Sequence, residues 1–297
     1  MKRGLCMNSG IIVKGIGGFY YVDTGDKIFE CRARGKFRKE KVTPLVGDRV
    51  KITIQGAKGQ GVIEEIEERE TELIRPPVAN VNHAVIVFAA QKPEPNISLL
   101  NRFLILAETQ EIDITICFNK VDLIQNQELS TLVDVYENIG YQVIGTSTKQ
   151  SIGLKDLSEK LMDKITVFAG PSGVGKSSLL NAIQPNLRLQ TGEVSSKIDR
   201  GKHTTRHVEL LQLDFGGWVL DTPGFSSLSL DFINEEELQY FFKEFNRFIG
   251  ACRFNGCRHL SEPDCAIKTA LKEKQIDQSR YESYTQLIDE ILQTRRY

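Results

Sequence analysis

The apolar positions change rhythm twice along this 297-residue chain. From about residue 10 to residue 68 they form short runs at 11–13, 19–22, 28–31, 50–54 and 62–66, separated by glycine-rich turns. Strands of this length between such turns predict a small closed barrel of the oligonucleotide-binding (OB) type, with an SH3-like barrel as the rival. Arg75-Pro76-Pro77 then reads as a linker, because the residue before a proline is driven out of the helical region. Beyond it, strands at 81–90, 112–118, 142–145 and 165–169 alternate with helices at 98–110, 128–139 and 154–162. Near-continuous apolar strands between amphipathic helices predict a largely parallel sheet covered on both faces. Segments 208–213 and 218–220 read as a hairpin through Gly216-Gly217, and after about residue 230 the strand pattern stops. Helices are expected at 235–248, 266–274 and 278–292, bracketing a cysteine-rich loop. The expected domains are a barrel over 1–70, an α/β domain over 71–230 and a mainly helical domain over 231–297.

A composition of 40% hydrophobic and 26% charged residues supplies cores for a soluble globular protein. The net charge of -1 conceals local clusters. Lys27, Arg32, Arg34, Lys36, Arg38, Lys39 and Lys41 face only Glu30 and Glu40, and Lys197, Arg200, Lys202 and Arg206 face only Asp199. Such clusters suit a phosphate-rich partner, with plain solvated surface as the alternative. No secretory leader is evident, and the longest apolar run, 84–90, is too short for a bilayer. A cytoplasmic protein with reduced thiols and no membrane partner is expected. Cys6, Cys31 and Cys117 then act as small hydrophobes.

Gly170, Pro171, Ser172, Gly173, Val174, Gly175, Lys176 and Ser177 match GxxxxGK[ST], after a predicted strand and before a predicted helix. Glycines let successive N–H groups turn onto phosphates, and the helix N-terminus adds positive potential. Lys176 is expected to reach the β- and γ-phosphates and Ser177 to ligate Mg²⁺. Asn119-Lys120-Val121-Asp122 ends a strand, at the sheet edge where open α/β sheets bind ligands. Asp122 can accept two N–H groups from guanine, a pattern adenine lacks. Thr146-Ser147-Thr148 falls where a backbone N–H supports the guanine carbonyl, with Ser147 the candidate contact, although Ser/Thr at a strand end is also turn chemistry. Asp221-Thr222-Pro223-Gly224 supplies a carboxylate for Mg²⁺ and an amide, that of Gly224, for the γ-phosphate. In the Gly201–Arg206 stretch, Thr204 or Thr205 can complete the Mg²⁺ shell. His203 there can orient water, or else is a surface or RNA contact. Cys252, Cys257, His259 and Cys265 have the donors of a closed tetrahedral zinc site, with redox chemistry or a disulfide as alternatives.

The base reader precedes the phosphate loop, the reverse of the ordinary GTPase order. With NKVD, GPSGVGKSS (through Ser178), GKHTTR, DTPGF and the Cys/His set together, the chain resembles the ribosome small-subunit-dependent GTPase A family over essentially its whole length. The resemblance implies an α/β circularly permuted P-loop GTPase domain, preceded by an N-terminal all-β OB-fold barrel and followed by a mainly helical zinc-binding domain. It implies GTP hydrolysis in late maturation of the small ribosomal subunit, stimulated by that subunit, with binding to rRNA and GTP/GDP. It also implies that Phe225, the hydrophobic residue after DTPG, goes with a catalytic histidine, here His203. A monomer is expected. Because the C-terminal domain directly follows DTPGF, nucleotide state is expected to reorient it. A nucleotide-gated RNA scaffold and a P-loop ATPase or kinase are the competing readings.

Overall fold

The computed structural model describes residues 7–55, 60–74, 76–185, 208–220 and 228–294. The chain divides into two compact units, each assembled from non-contiguous segments.

The first unit takes Met1–Ala84, Lys155–Phe168 and Ser177–Ser226. Its barrel is built from β1 (Met7–Ile16), β2 (Phe19–Asp23), β3 (Ile28–Ala33), β4 (Arg49–Gln55) and β5 (Gln60–Ile66), with a short helix α1 (Gly35–Lys39) between β3 and β4. The strands close in the order β1-β2-β3-β5-β4, with β1 antiparallel to β4 and β3 parallel to β5. That closure, with its helix between β3 and β4, is the OB arrangement rather than the SH3-like one. Register explains the core: Ile12 faces Val22 and Ile52 faces Ile63, and with Cys31 and Val50 all are fully buried. The basic stretch, 27–41, is not a loop. It runs through β3 and α1, because burying Phe37 turns the segment into a helix.

Pro76-Pro77 is not a linker either. Pro77 opens the second strand of a small hairpin, β6 (Glu72–Ile74) and β7 (Pro77–Ala79), where the first strand residue needs no amide. The hairpin is tied to the barrel by a Val46–Val78 bridge and by Arg69, which forks onto buried Asp48 at 2.7 and 2.9 Å.

The second unit takes Val85–Leu154, Ala169–Lys176 and Ser227–Tyr297. It includes α2 (Ile97–Glu108), β9 (Asp113–Asn119), α3 (Asn126–Ile139) and β10 (Gln142–Thr146), preceded by β8 (His83–Ala89), which is buried along its whole length. Asn96 caps α2, accepting from the Leu99 amide at 2.9 Å, and Gly140 ends α3 in the left-handed region. Between these segments the chain forms α4 (Leu154–Leu161), β11 (Ile165–Ala169), α5 (Lys176–Ile183), β12 (Leu210–Gln212) and β13 (Trp218–Leu220). β9 and β10 pair in parallel, as do β11 and β13, and β12–β13 is the expected hairpin.

The C-terminal part carries α6 (Ala266–Lys272) and α7 (Gln278–Thr294). The helix expected over 235–248 is instead two 3-10 turns, Leu238–Phe241 and Lys243–Phe245. Phe242 breaks them apart at ψ 91, and both Phe242 and Phe245 are then fully buried, each with its ring about 5 Å from Tyr284.

Candidate functional site

Parallel pairing of β9 and β10 sets Asn119 level with Thr146 where both strands end. Asn119 is buried, and its amide nitrogen donates to the Val174 carbonyl of the phosphate loop at 2.9 Å. Its side-chain oxygen accepts from the Thr146 hydroxyl at 3.2 Å, which also contacts Cys117 Sγ at 3.3 Å. Asn119 therefore braces the end of β9 against the Gly170–Ser177 loop. Lys120 adopts φ 63, and its ammonium donates to the carbonyls of Gly173, at 2.7 Å, and Lys92. Asp122 stands on the 3-10 turn Val121–Leu123. One of its oxygens accepts from the Ser147 hydroxyl at 2.6 Å. Ser147 is fully buried and also accepts from the Gln150 amide at 3.1 Å, so the carboxylate is held by a fixed donor.

The phosphate loop runs from the end of β11 into α5. Gly170, at φ 135, admits no side chain, since a Cβ would stand 2.1 Å from the Val87 carbonyl oxygen. At Gly175, φ 98, a Cβ would lie 2.4 Å from the Asn119 amide nitrogen. Close approach of the two motifs is thus written into a glycine. The Lys176 ammonium donates to the carbonyls of Gly170 and Pro171, both at 2.7 Å. Burial pushes its pKa below the ordinary lysine value. Phosphate charge arriving beside it opposes that shift. Pro171, Ser172 and Gly173 form the loop's outer turn, and Ser177 and Ser178 continue α5 after Lys176. His203, Thr204, Thr205, Asp221 and Gly224 lie outside the described residues.

A second cluster lies in the C-terminal part. The ligand atoms of Cys252, Cys257, His259 and Cys265 all fall within 4.8 Å of one another. Zn–S bonds of about 2.3 Å and Zn–N bonds of about 2.0–2.1 Å would space sulfurs about 3.8 Å apart and sulfur from nitrogen about 3.6 Å. The observed separations are 3.9 Å for Cys252–Cys265 and 3.6 and 3.3 Å from His259 Nδ1 to those sulfurs. Gln239 lies 2.9 Å from His259 Nε2, leaving Nδ1 as the ligand when Nε2 carries the proton. Tyr281 and Tyr284 donate to the carbonyls of His259 and Arg258 at 2.7 and 3.0 Å, which fixes the loop. Burial pushes Cys257 up to about 12, raises Cys265, and lowers His259. Thiols so shifted give up their protons to a metal, not to water. The five cysteines among the described residues are all free thiols, so the disulfide alternative finds no support there.

The structure thus brings together Asn119, Lys120, Asp122 and Ser147 with the phosphate loop, and separately the four candidate metal ligands. Sequence reading missed Thr146 as a brace, because only strand register shows it level with Asn119. It also missed Gln239, which no spacing rule ties to His259.

An NKxD motif that precedes the GxxxxGK[ST] loop in the chain, yet is bonded to it in space, defines a circularly permuted P-loop GTPase fold. Residues 66–231 match the family model described as RsgA GTPase, and residues 9–63 match the RsgA N-terminal domain. A protein of Alkaliphilus metalliredigens named small ribosomal subunit biogenesis GTPase RsgA is 57% identical, over 98% of this chain and 100% of its own. One of the same name from Caldanaerobacter subterraneus subsp. tengcongensis is 53% identical, over 97% and 98%. Among solved structures, YjeQ from Thermotoga maritima matches with a TM-score of 0.85 at 37% identity, covering 97% of this chain and 99% of that one. YloQ, described as a circularly permuted GTPase, matches at 0.82 and 44%, covering 99% and 98%. The chain belongs to the RsgA GTPase family.

Proposed function

We propose that this protein hydrolyses GTP in biogenesis of the small ribosomal subunit, using nucleotide state to control its hold on that subunit and its rRNA. The observation that carries the reading is the direct bonding of Asn119 and Lys120 to the phosphate loop at Val174 and Gly173. Base identity and phosphate occupancy are thereby sensed by one connected set of groups. Asp122 selects guanine, with Ser147 holding its carboxylate in place. The backbone from Gly170 to Gly175 cradles the phosphates, and Lys176 leaves the loop carbonyls for the β- and γ-oxygens. Ser177, Asp221 and one of Thr204 and Thr205 would hold Mg²⁺, which neutralises charge on those oxygens. The Gly224 amide senses the γ-phosphate. With Phe225 where many GTPases carry a water-orienting glutamine, His203 positions the attacking water.

No arginine finger or glutamine is evident in the sequence, so turnover of the free protein is slow and the subunit stimulates it. GTP turnover titrated with purified small subunits is expected to rise to saturation. His203→Ala is expected to lower the stimulated rate about a hundredfold with little change in GTP affinity. A flat titration would favour a nucleotide-gated scaffold instead.

The Cys252/Cys257/His259/Cys265 centre holds one structural zinc ion. Metal analysis is expected to return one equivalent per chain, and dialysis against a strong chelator to lower the thermal midpoint until zinc is restored. An unchanged melting curve after complete metal removal would count against a structural role. No helix among the described residues is long and apolar enough to cross a membrane. The protein acts in the cytoplasm as a monomer.

A further inference from the structure

The barrel carries a cleft of about 380 Å³ that neither the nucleotide site nor the metal centre uses. Its walls include Gly17, Phe19, Arg32, Arg34, Phe37 and Arg38, so it opens between the β1–β2 turn, the end of β3 and α1. Arg34 is already committed, with Nε 2.8 Å from Glu64. Arg32 and Arg38 are exposed, and neither has a carboxylate at ion-pair distance among the described residues. The Arg32 guanidinium carbon instead stands 4.5 Å from the centroid of the Phe19 ring. A flat cation backed by an aromatic ring is a stacking platform whose N–H edge stays free for hydrogen bonds. The volume falls within the roughly 300–1,000 Å³ of small-molecule pockets, enough for a base and its sugar.

We propose that this cleft is a subsite for one unstacked nucleotide of single-stranded RNA, its base laid on the Arg32–Phe19 stack and its phosphate met by Arg38. The inference rests on the rRNA-binding reading above and adds the class of RNA and the residues that hold it. Single-stranded RNA is the ligand that offers an open aromatic face and a phosphate one bond chain apart. In a duplex the bases are stacked and their faces closed, and an acidic peptide has no flat ring to match the platform.

The test titrates full-length protein into labelled hexauridylate, with unlabelled uridine monophosphate, a blunt RNA duplex and poly-aspartate as competitors. Arg32→Lys keeps the charge and removes the plane, and is expected to weaken hexauridylate binding by about tenfold. Its salt dependence should match that of wild type. Arg38→Gln is expected to weaken binding and also to make the slope of log K against log salt shallower by about 0.7. Both side chains are exposed, so both variants should fold. Arg32→Lys binding within twofold of wild type would overturn the subsite. So would duplex or poly-aspartate competing as well as hexauridylate, and monophosphate doing so would mark a free-nucleotide site instead. Co-sedimentation with small subunits separates the two levels. Protein that pellets with subunits but shows no Arg32-dependent RNA binding sinks this inference alone, whereas protein that never pellets sinks the function proposed above.

Discussion

Asp122→Asn is expected to lower affinity for GTP and GDP by about 10⁴-fold and to shift preference toward xanthine nucleotides. Guanine presents two N–H donors to this position, and a carboxylate accepts both with charge assistance. An amide of the same shape turns one acceptor into a donor, which faces a guanine donor across the same gap. Xanthine carries a carbonyl where guanine carries its exocyclic amine, so the amide regains a partner. The structure adds a graded control. The Ser147 hydroxyl donates to Asp122 at 2.6 Å from a fully buried site, so it positions the carboxylate and does not itself meet the base. Ser147→Ala should cost only about tenfold in affinity, the usual scale for one hydrogen bond to a charged group, with guanine preference retained. Competition binding with GDP and XDP measures both. If Asp122→Asn kept GDP affinity within tenfold of wild type, the carboxylate would not be reading the base, and an ATPase or kinase reading would return.

The candidate site was legible in the sequence to the extent that its parts are local. Gly170 to Ser177 and Asn119 to Asp122 each follow one strand end, so spacing alone picks them out as candidates. The braces between them were not legible, because Thr146 meets Asn119 only through strand register and Val174 meets it only through tertiary closure. The same boundary runs through the fold. Barrel strands showed as apolar runs, but α1 did not, since a five-residue helix with one buried residue, Phe37, leaves no period to read. The expected helix at 235–248 failed for a related reason. The backbone breaks at Phe242, so that Phe242 and Phe245 both pack on Tyr284 while Gln239 meets His259, a set of contacts one helical face does not supply. Nothing in the sequence sets Glu244 and Arg280 apart from solvated helix residues, and in the structure both are buried.

Glu244→Ala is therefore expected to destabilise the protein by about 3–5 kcal/mol, the cost of stripping a buried charge of its partner. Arg280 forks onto Glu244, Nε at 2.6 Å and Nη2 at 3.1 Å, and its third arm donates to Asn101 on α2 at 2.8 Å. Asn101 in turn donates to Ser283 on α7 at 2.7 Å and accepts from Tyr136 on α3 at 3.1 Å. Burial by itself opposes the charge on Arg280, but the Glu244 carboxylate outweighs it and holds the guanidinium protonated well past the ordinary arginine range. Removing that carboxylate leaves a cation with no counter-charge and no water. Replacing both partners by apolar residues, Glu244→Leu with Arg280→Met, should recover most of the loss, because the penalty belongs to the orphaned charge and not to the missing pair. Urea unfolding of the three proteins measures this, and a single variant that loses less than about 1 kcal/mol would show the pair to be hydrated in solution. The result also bears on how freely the C-terminal segment can move. The knot joins α7 and the turn carrying Glu244 to α2 and α3, helices of the unit that also bears Asn119 and Asp122. A swing of the C-terminal segment against those helices would have to break the knot, at several kcal/mol. A movement of that segment is cheaper if the metal-ligand cluster, α2 and α3 travel as one body.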